Sequence, residues 1–170
     1  MSLTLAAALA TALNFGIFTL IAVWYVAPWL QSQQRTTALS ALIWVHVFRD
    51  IALQIFSAQK FGFAVSDPTR DMIALGDVTG ALLALISLLA LRYRPRMAPF
   101  LVWLLILETV ADLLYGTVAG SQEQIFEKAS GVTFMILASY VPLLWVSLAL
   151  TTWQLLSRRS EAPPVFAPSS

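Results

Sequence analysis

The sequence contains no cysteine and a single histidine, His46, among its 170 residues. The absence of cysteine excludes disulfides, iron–sulfur clusters, zinc sites built from thiolates and cysteine nucleophiles. One histidine per copy also excludes a haem held between two histidines of the same chain. The seven glycines are scattered and form neither of the glycine-rich phosphate-binding motifs. We therefore expect no bound cofactor.

Charge is also scarce, since 11% of the residues are charged, against about 25% in ordinary soluble domains. Hydrophobic residues make up 59% of the chain, and the mean hydropathy is +0.78. A soluble domain of this length cannot bury so much apolar surface. We therefore exclude a soluble globular protein, a disordered chain and a nucleic-acid-binding domain, and expect membrane lipids as the first partner.

Long apolar runs predict an all-α protein that crosses a membrane five times. A helix needs about 20 residues to cross the hydrocarbon layer. The predicted spans lie at about 4–28, 37–58, 71–91, 97–118 and 130–156. They form one domain over residues 1–157, and residues 158–170 are expected to be a disordered cytoplasmic tail because they lack apolar periodicity.

Basic residues are distributed unevenly between the two ends of these spans. One end carries six of them: Arg35, Arg92, Arg94, Arg96, Arg158 and Arg159. The other end carries three: Lys60, Arg70 and Lys128. Since loops rich in arginine and lysine stay in the cytoplasm, we expect the N-terminus outside and the C-terminus inside.

Five ionisable residues interrupt the predicted spans: Arg49, Asp50, Asp77, Glu108 and Asp112. A charge at the centre of a membrane helix costs about 2.5–3.5 kcal/mol on the insertion scale. These side chains should therefore face one another or a water-filled cavity. Four carboxylates around one guanidinium leave three negative charges, so we expect a protonated carboxyl group or a bound cation.

Helical spacing refines this candidate pocket. His46, Asp50 and Gln54 are four residues apart and should share one face of the second span, with Arg49 beside His46. Glu108 and Asp112 should share a face of the fourth span. The set lies in the middle and outer half of the membrane, over an apolar cytoplasmic floor. The predicted ligand-binding residues are His46, Arg49, Asp50, Gln54, Asp77, Glu108 and Asp112.

Three functions fit this pocket. The first is binding or transport of a small molecule or ion with linked proton movement, for which a homodimer is expected. The second is acid–base catalysis on a lipid or isoprenoid substrate, with Glu108 and Asp112, or Asp50 and His46, as acid and base. The third is an accessory subunit of a larger membrane complex, in which buried charges only fix how the helices pack.

A metal site is not predicted. His46, Asp50, Glu108 and Asp112 carry donor atoms that metal ions accept. They lack, however, the Glu-x-x-His spacing of helical-bundle di-iron sites.

Four short motifs resemble those of a widespread group of small bacterial membrane proteins of unknown activity. They are His46-Val-Phe-Arg49, Gly76-Asp77, Asp112-Leu-Leu114 and Tyr140-Val-Pro142. The resemblance covers the second to fifth spans and implies a bacterial inner-membrane protein without implying an activity. A second likeness, to the EXPERA group of sterol isomerases and sigma-2-like proteins, lies in acids placed inside a small helical bundle. That group has four spans rather than five.

Overall fold

The computed structural model describes residues 2–158, and within that range the chain is helical and contains no strand. One short helix, α5, covers Ile125–Lys128. Five helices are long and apolar enough to cross a membrane: α1 Leu3–Ser32, α2 Arg35–Lys60, α3 Asp67–Tyr93, α4 Ala98–Gln122 and α6 Gly131–Ser157. The prediction of an all-helical chain with five long apolar helices is confirmed. Of the predicted tail, residues 159–170 lie outside the described range.

Four of the long helices form the body of the molecule. Helix α3 packs most extensively against α4, and α2 packs against α3 and α6. Helix α1 lies at one side, where it contacts mainly α6. Most of its side chains are exposed, including the apolar Leu5, Leu13 and Ile17.

The first end of the bundle, which we call the arginine-rich end, brings together residues 30–36, 94–99 and 155–158. Arg158 donates hydrogen bonds to the carbonyl oxygens of Gln33, at 2.9 Å, and Leu30, at 3.3 Å. Arg35 donates to the carbonyl oxygen of Leu155 at 3.4 Å. These bonds join the ends of α1, α2 and α6, because the carbonyl groups at a helix C-terminus have no partner within the helix.

The opposite end contains the α2–α3 loop, residues 61–66, and the segment from Glu123 to Ser130. The Ser66 hydroxyl and the Ser66 backbone N–H both donate to the Glu123 carboxylate, at 2.5 and 2.9 Å. These hydrogen bonds lower the pKa of Glu123 to about 2, because they favour its charged form. They also tie the α2–α3 loop to the end of α4.

Two helices loosen into π-helical turns just before a proline. These turns cover Ala22–Val26, ahead of Pro28, and Ile136–Tyr140, ahead of Pro142. Proline has no N–H to donate, so the carbonyl group four residues earlier loses its helical partner. For Pro142 this is the carbonyl group of Ala138, whose oxygen accepts a hydrogen bond from Asn14 Nδ2 at 2.8 Å. This hydrogen bond links α1 to α6.

Two apolar layers enclose the centre of the bundle. The larger lies toward the arginine-rich end and contains Ile43, Leu88, Val102 and Leu155. The smaller lies toward the opposite end and is built around Ile55, Phe63 and Ile125. Along α2, Arg49 lies between Ile43 of the larger layer and Ile55 of the smaller layer. The larger apolar layer therefore adjoins the buried charge on the side of the arginine-rich end.

Candidate functional site

Helix α2 tightens to a 3₁₀ segment, Phe48–Leu53, at the level of the charged residues. A 3₁₀ helix has three residues per turn, so side chains three apart point the same way. The buried side chains here are accordingly His46, Arg49, Ala52 and Ile55. The expectation that residues 46, 50 and 54 share a buried face was wrong, because it assumed α-helical spacing through this segment. Asp50 is exposed.

Arg49 is the centre of the site, and its side chain is completely buried. Its Nε donates to Asp77 of α3 at 2.9 Å, and Nη1 donates to Glu108 of α4 at 2.9 Å. Nη2 donates to Asp112, one turn further along α4. Thr109 accepts a fourth bond from Nη1 at 3.1 Å. The guanidinium therefore joins α2 to α3 and α4 through charge-assisted hydrogen bonds.

The charge of this cluster is unbalanced. Each of the three carboxylate side chains is only 15% exposed, and one guanidinium faces them all. If all three are ionised, two negative charges remain, not the three expected when Asp50 was counted with them. Nearly all the N–H donors of Arg49 are already bonded to the acids and to Thr109, so few remain for an anion. The two surplus negative charges therefore attract protons or cations.

Two glycines of α3 make room for the cluster. A Cβ atom on Gly80 would overlap the Arg49 guanidinium and lie 2.8 Å from Glu108 Oε2. A Cβ on Gly76 would overlap the Asp112 carboxylate. By contrast, a Cβ on Gly116 would meet no atom within 4 Å. The Gly76/Gly80 GxxxG pair therefore lets charged side chains reach the face of α3. The usual role of such a pair is to let two helices approach closely.

A cavity of about 130 Å³ adjoins the cluster on the side of the opposite end. Asp77 and Asp112 form part of its wall, together with Gln54, Thr117, Thr133 and Tyr140. The rest of the lining is apolar: Ala52, Ile55, Phe63, Ile73, Leu113, Gly116, Gly120, Ile125, Phe126, Ile136, Leu137, Val141 and Leu144. A space of this size admits several water molecules or one small ligand.

A second recess, of about 300 Å³, lies at the opposite end beside Ser57, Lys128 and Ser130. It shares Gln54, Phe63 and Thr133 with the cavity. Gln54 Nε2 donates to Thr133 Oγ1 at 3.0 Å between α2 and α6. Both partners of this hydrogen bond line the recess as well as the cavity, so the bond lies where the two spaces adjoin.

The seven predicted ligand-binding residues thus separate into groups. Four meet in the cluster: Arg49, Asp77, Glu108 and Asp112. Gln54 lines the cavity, whereas Asp50 faces outward. His46 is 1% exposed, one turn before Arg49, and its Nδ1 atom has no hydrogen-bond partner among the described residues. Within residues 2–158, no three histidine or acidic side chains are placed to hold a metal ion together.

Sequence reasoning missed Thr109, Thr133 and the function of Gly76 and Gly80. Threonine is common in membrane helices, so nothing in its type or spacing marks Thr109 as a partner of Arg49. A signal did exist for the glycines, because Gly76 precedes Asp77, an acid inside a predicted span, and Gly80 follows one turn later. That pattern also fits helix packing, so only the neighbouring side chains distinguish the two roles.

A family model described as a domain of unknown function (DUF8737) matches residues 6–156. This range includes every residue of the cluster and all five long helices except the first three residues of α1 and the last residue of α6. No curated protein and no solved structure matches the chain significantly.

Proposed function

The chain belongs to the DUF8737 family, and we propose that it is a bacterial inner-membrane protein that binds or transports a small cation, such as a protonated amine, with linked release of protons. The observation that carries the proposal is the dual position of Asp77 and Asp112. Both contact the buried guanidinium of Arg49, and both form the wall of the cavity.

Charge balance links protons to the ligand. Two surplus negative charges beside an apolar cavity are costly, so protons or a cation must neutralise them. A cation that enters the cavity stabilises the ionised carboxylates and displaces protons from them. The carboxyl groups interact through the shared arginine, so they titrate as one coupled unit.

The size of the cavity favours a small ligand. Sites for drug-sized ligands occupy about 300–1,000 Å³, whereas this cavity occupies about 130 Å³. An ammonium or methylammonium ion fits such a volume, and an intact lipid chain does not. The Gln54–Thr133 hydrogen bond would then act as the entry gate from the recess at the opposite end.

Asp112→Asn should abolish the proton linkage. In purified protein reconstituted in nanodiscs, infrared spectra of the wild type should show a protonated carboxyl band that weakens as the pH rises from 5 to 9. Methylammonium should weaken the band at fixed pH, because it displaces protons from the carboxyl groups. The Asp112→Asn variant should lose most of both responses, since it removes the ionisable group that contacts both Arg49 and the cavity.

Asp50→Asn is the matched control, because Asp50 lies on an adjoining helix but is exposed outside the cluster. Its spectra should respond to pH and to methylammonium as those of the wild type do. The proposal is contradicted if ammonium, methylammonium, sodium and potassium all leave the carboxyl band unchanged, or if Asp50→Asn removes the response and Asp112→Asn does not.

Membrane placement can be tested through the absence of cysteine, which makes every introduced thiol unique. We expect the arginine-rich end in the cytoplasm. In intact cells, a membrane-impermeant maleimide should label Ser130→Cys, at the opposite end. Ser32→Cys, at the arginine-rich end, should react only after permeabilisation. Both serines are exposed, so the reverse pattern would invert the proposed orientation, and equal labelling of both in intact cells would contradict insertion.

One observation favours a second candidate, acid–base catalysis on a small apolar substrate. Apart from its acidic end, the cavity is lined mainly by apolar side chains such as Ile73, Leu113 and Leu137. A carboxylic acid in such surroundings can protonate an alkene or a carbonyl group. Retention of a five-carbon alkene or ketone by the wild type, with conversion that stops in Asp112→Asn, would support this candidate over cation binding.

A further inference from the structure

The arginine-rich end contains a cleft of about 670 Å³ that is separate from the charged cluster. Three arginines line it, Arg35, Arg96 and Arg158, and they come from α2, the α3–α4 turn and the end of α6. None of the acidic residues within 2–158 lines the cleft. We propose that this cleft binds a phosphate group, with the headgroup of an anionic phospholipid as its source.

Two of the three arginines, Arg35 and Arg158, are held in place by hydrogen bonds within the protein. Arg158 is fixed by hydrogen bonds to Gln33 O at 2.9 Å and to Gln154 Oε1 and Leu30 O at 3.3 Å. Arg35 contacts Leu155 O, and its buried Nε atom has no hydrogen-bond partner in the described part of the chain. A buried donor without a partner costs free energy, and a phosphate oxygen that reaches it would remove that cost.

The backbone adds donors to the same place. Helix α2 begins at Arg35, and Gln34 provides no side-chain cap. The N–H groups of its first turn therefore have no partner within the helix, and they carry the positive end of the helix dipole. Gln31, Ser32 and Thr36 supply further polar groups around the cleft. Forked guanidinium donors and helix N-termini are both suited to phosphate oxygens.

The position of the cleft indicates a lipid rather than a soluble phosphate. Trp24 and Trp29 are exposed on the last turns of α1, next to Gln31 and Ser32 of the cleft. Exposed tryptophan is typical of the level of lipid headgroups. The cleft volume greatly exceeds the needs of one phosphate ion and suits a glycerophosphate headgroup. This lipid assignment rests on the proposed membrane placement, but not on the activity proposed for the charged cluster.

Native mass spectrometry of detergent-purified protein with added phosphatidylglycerol or phosphatidylcholine tests the proposal. The wild type should retain phosphatidylglycerol at least fivefold better than phosphatidylcholine. Arg35→Gln and Arg96→Gln should each reduce that retention about tenfold, the effect of one lost charge-assisted hydrogen bond. Arg94→Gln is the matched control, because Arg94 is exposed on the same turn and does not line the cleft. Arg96→Lys should retain an intermediate amount of phosphatidylglycerol, since lysine keeps the charge but lacks the paired N–H donors of a guanidinium.

Competition with inorganic phosphate distinguishes a lipid headgroup from a soluble phosphate as the ligand. If millimolar phosphate displaces the lipid, or binds alone with the same dependence on Arg35 and Arg96, the cleft is a phosphate site that also accepts a soluble source. Equal retention of the two lipids, or equal retention by the wild type, Arg35→Gln and Arg96→Gln, would overturn the proposal. Thermal midpoints measured without lipid would show that the variants are folded. If both glutamine variants are unfolded, Arg96→Lys alone decides: wild-type retention overturns the proposal and reduced retention supports it.

Discussion

Arg49→Met should destabilise the protein by about 3–5 kcal/mol at pH 8, the typical cost of removing one partner of a buried ion pair. The variant leaves Asp77, Glu108 and Asp112 close together, mostly buried and without the guanidinium that all three contact. Methionine fills part of the space, so lost packing is the smaller effect. The loss can be measured as a lower midpoint of thermal or denaturant unfolding in a mild detergent.

The pH dependence identifies the cause of this loss. Protonation removes the uncompensated negative charges, so the deficit of Arg49→Met relative to the wild type should shrink when the pH is lowered from 8 to 5. Adding Asp112→Asn to Arg49→Met should shrink it at pH 8 as well, because one of the three charges is then absent. Such non-additivity is expected only of side chains that interact directly.

Arg94→Met is the control for the loss of a positive charge. Arg94 is exposed at the end of α3, and surface substitutions usually change stability by about 0.5 kcal/mol or less. An Arg49→Met variant that matches Arg94→Met at pH 8 would show that the cluster contributes nothing to stability. A deficit that stays constant from pH 8 to pH 5 would show that packing, and not charge, is responsible.

Gly80→Ala should be the second most damaging single substitution, although it adds only one methyl group. The added Cβ would overlap the guanidinium of Arg49, which is completely buried and held by three carboxylates. Overpacking alone costs about 1–3 kcal/mol. Displacing the guanidinium also lengthens its bonds to the carboxylates, so the unfolding midpoint should fall nearly as far as in Arg49→Met and should also recover partly at pH 5.

Gly116→Ala is the matched control, since Gly116 also belongs to a GxxxG pair but a Cβ there would meet nothing within 4 Å. Alanine is favoured over glycine in a helix by about 0.8–1 kcal/mol, so this variant should be as stable as the wild type or slightly more so. Equal unfolding midpoints for Gly80→Ala and Gly116→Ala would show that a small residue at position 80 is not needed to admit Arg49.

The two GxxxG pairs illustrate the limit of sequence reasoning here. Gly76/Gly80 and Gly116/Gly120 have the same spacing and lie in similarly apolar helices, so the sequence alone favours a packing face for both. What separates them is the side chains on neighbouring helices, Arg49 from α2 and Asp112 from α4. Those neighbours are distant in sequence, and no local pattern in α3 specifies them.

Asp50 and Gln54 illustrate a second limit. Their spacing from His46 is ideal for one face of an α-helix, and the sequence gives no sign that α2 changes to three residues per turn at Phe48–Leu53. In this 3₁₀ segment Arg49 is buried against α3 and α4, the two helices that carry its acidic partners. The tighter turn directs Asp50 outward. Hydrogen-bond partners in the tertiary structure therefore override the periodicity that would hold for an isolated helix.

The sequence by itself determined the class of protein, the five long helices and the identity of the charges that must avoid lipid, because hydropathy and the cost of burying charge are properties of the residues themselves. Only the tertiary structure decided which acids surround Arg49, which glycines admit it, where a cavity remains and how three distant arginines form one cleft. These features depend on the rotation and spacing of helices against one another, and many sequences with the same hydropathy profile would pack differently.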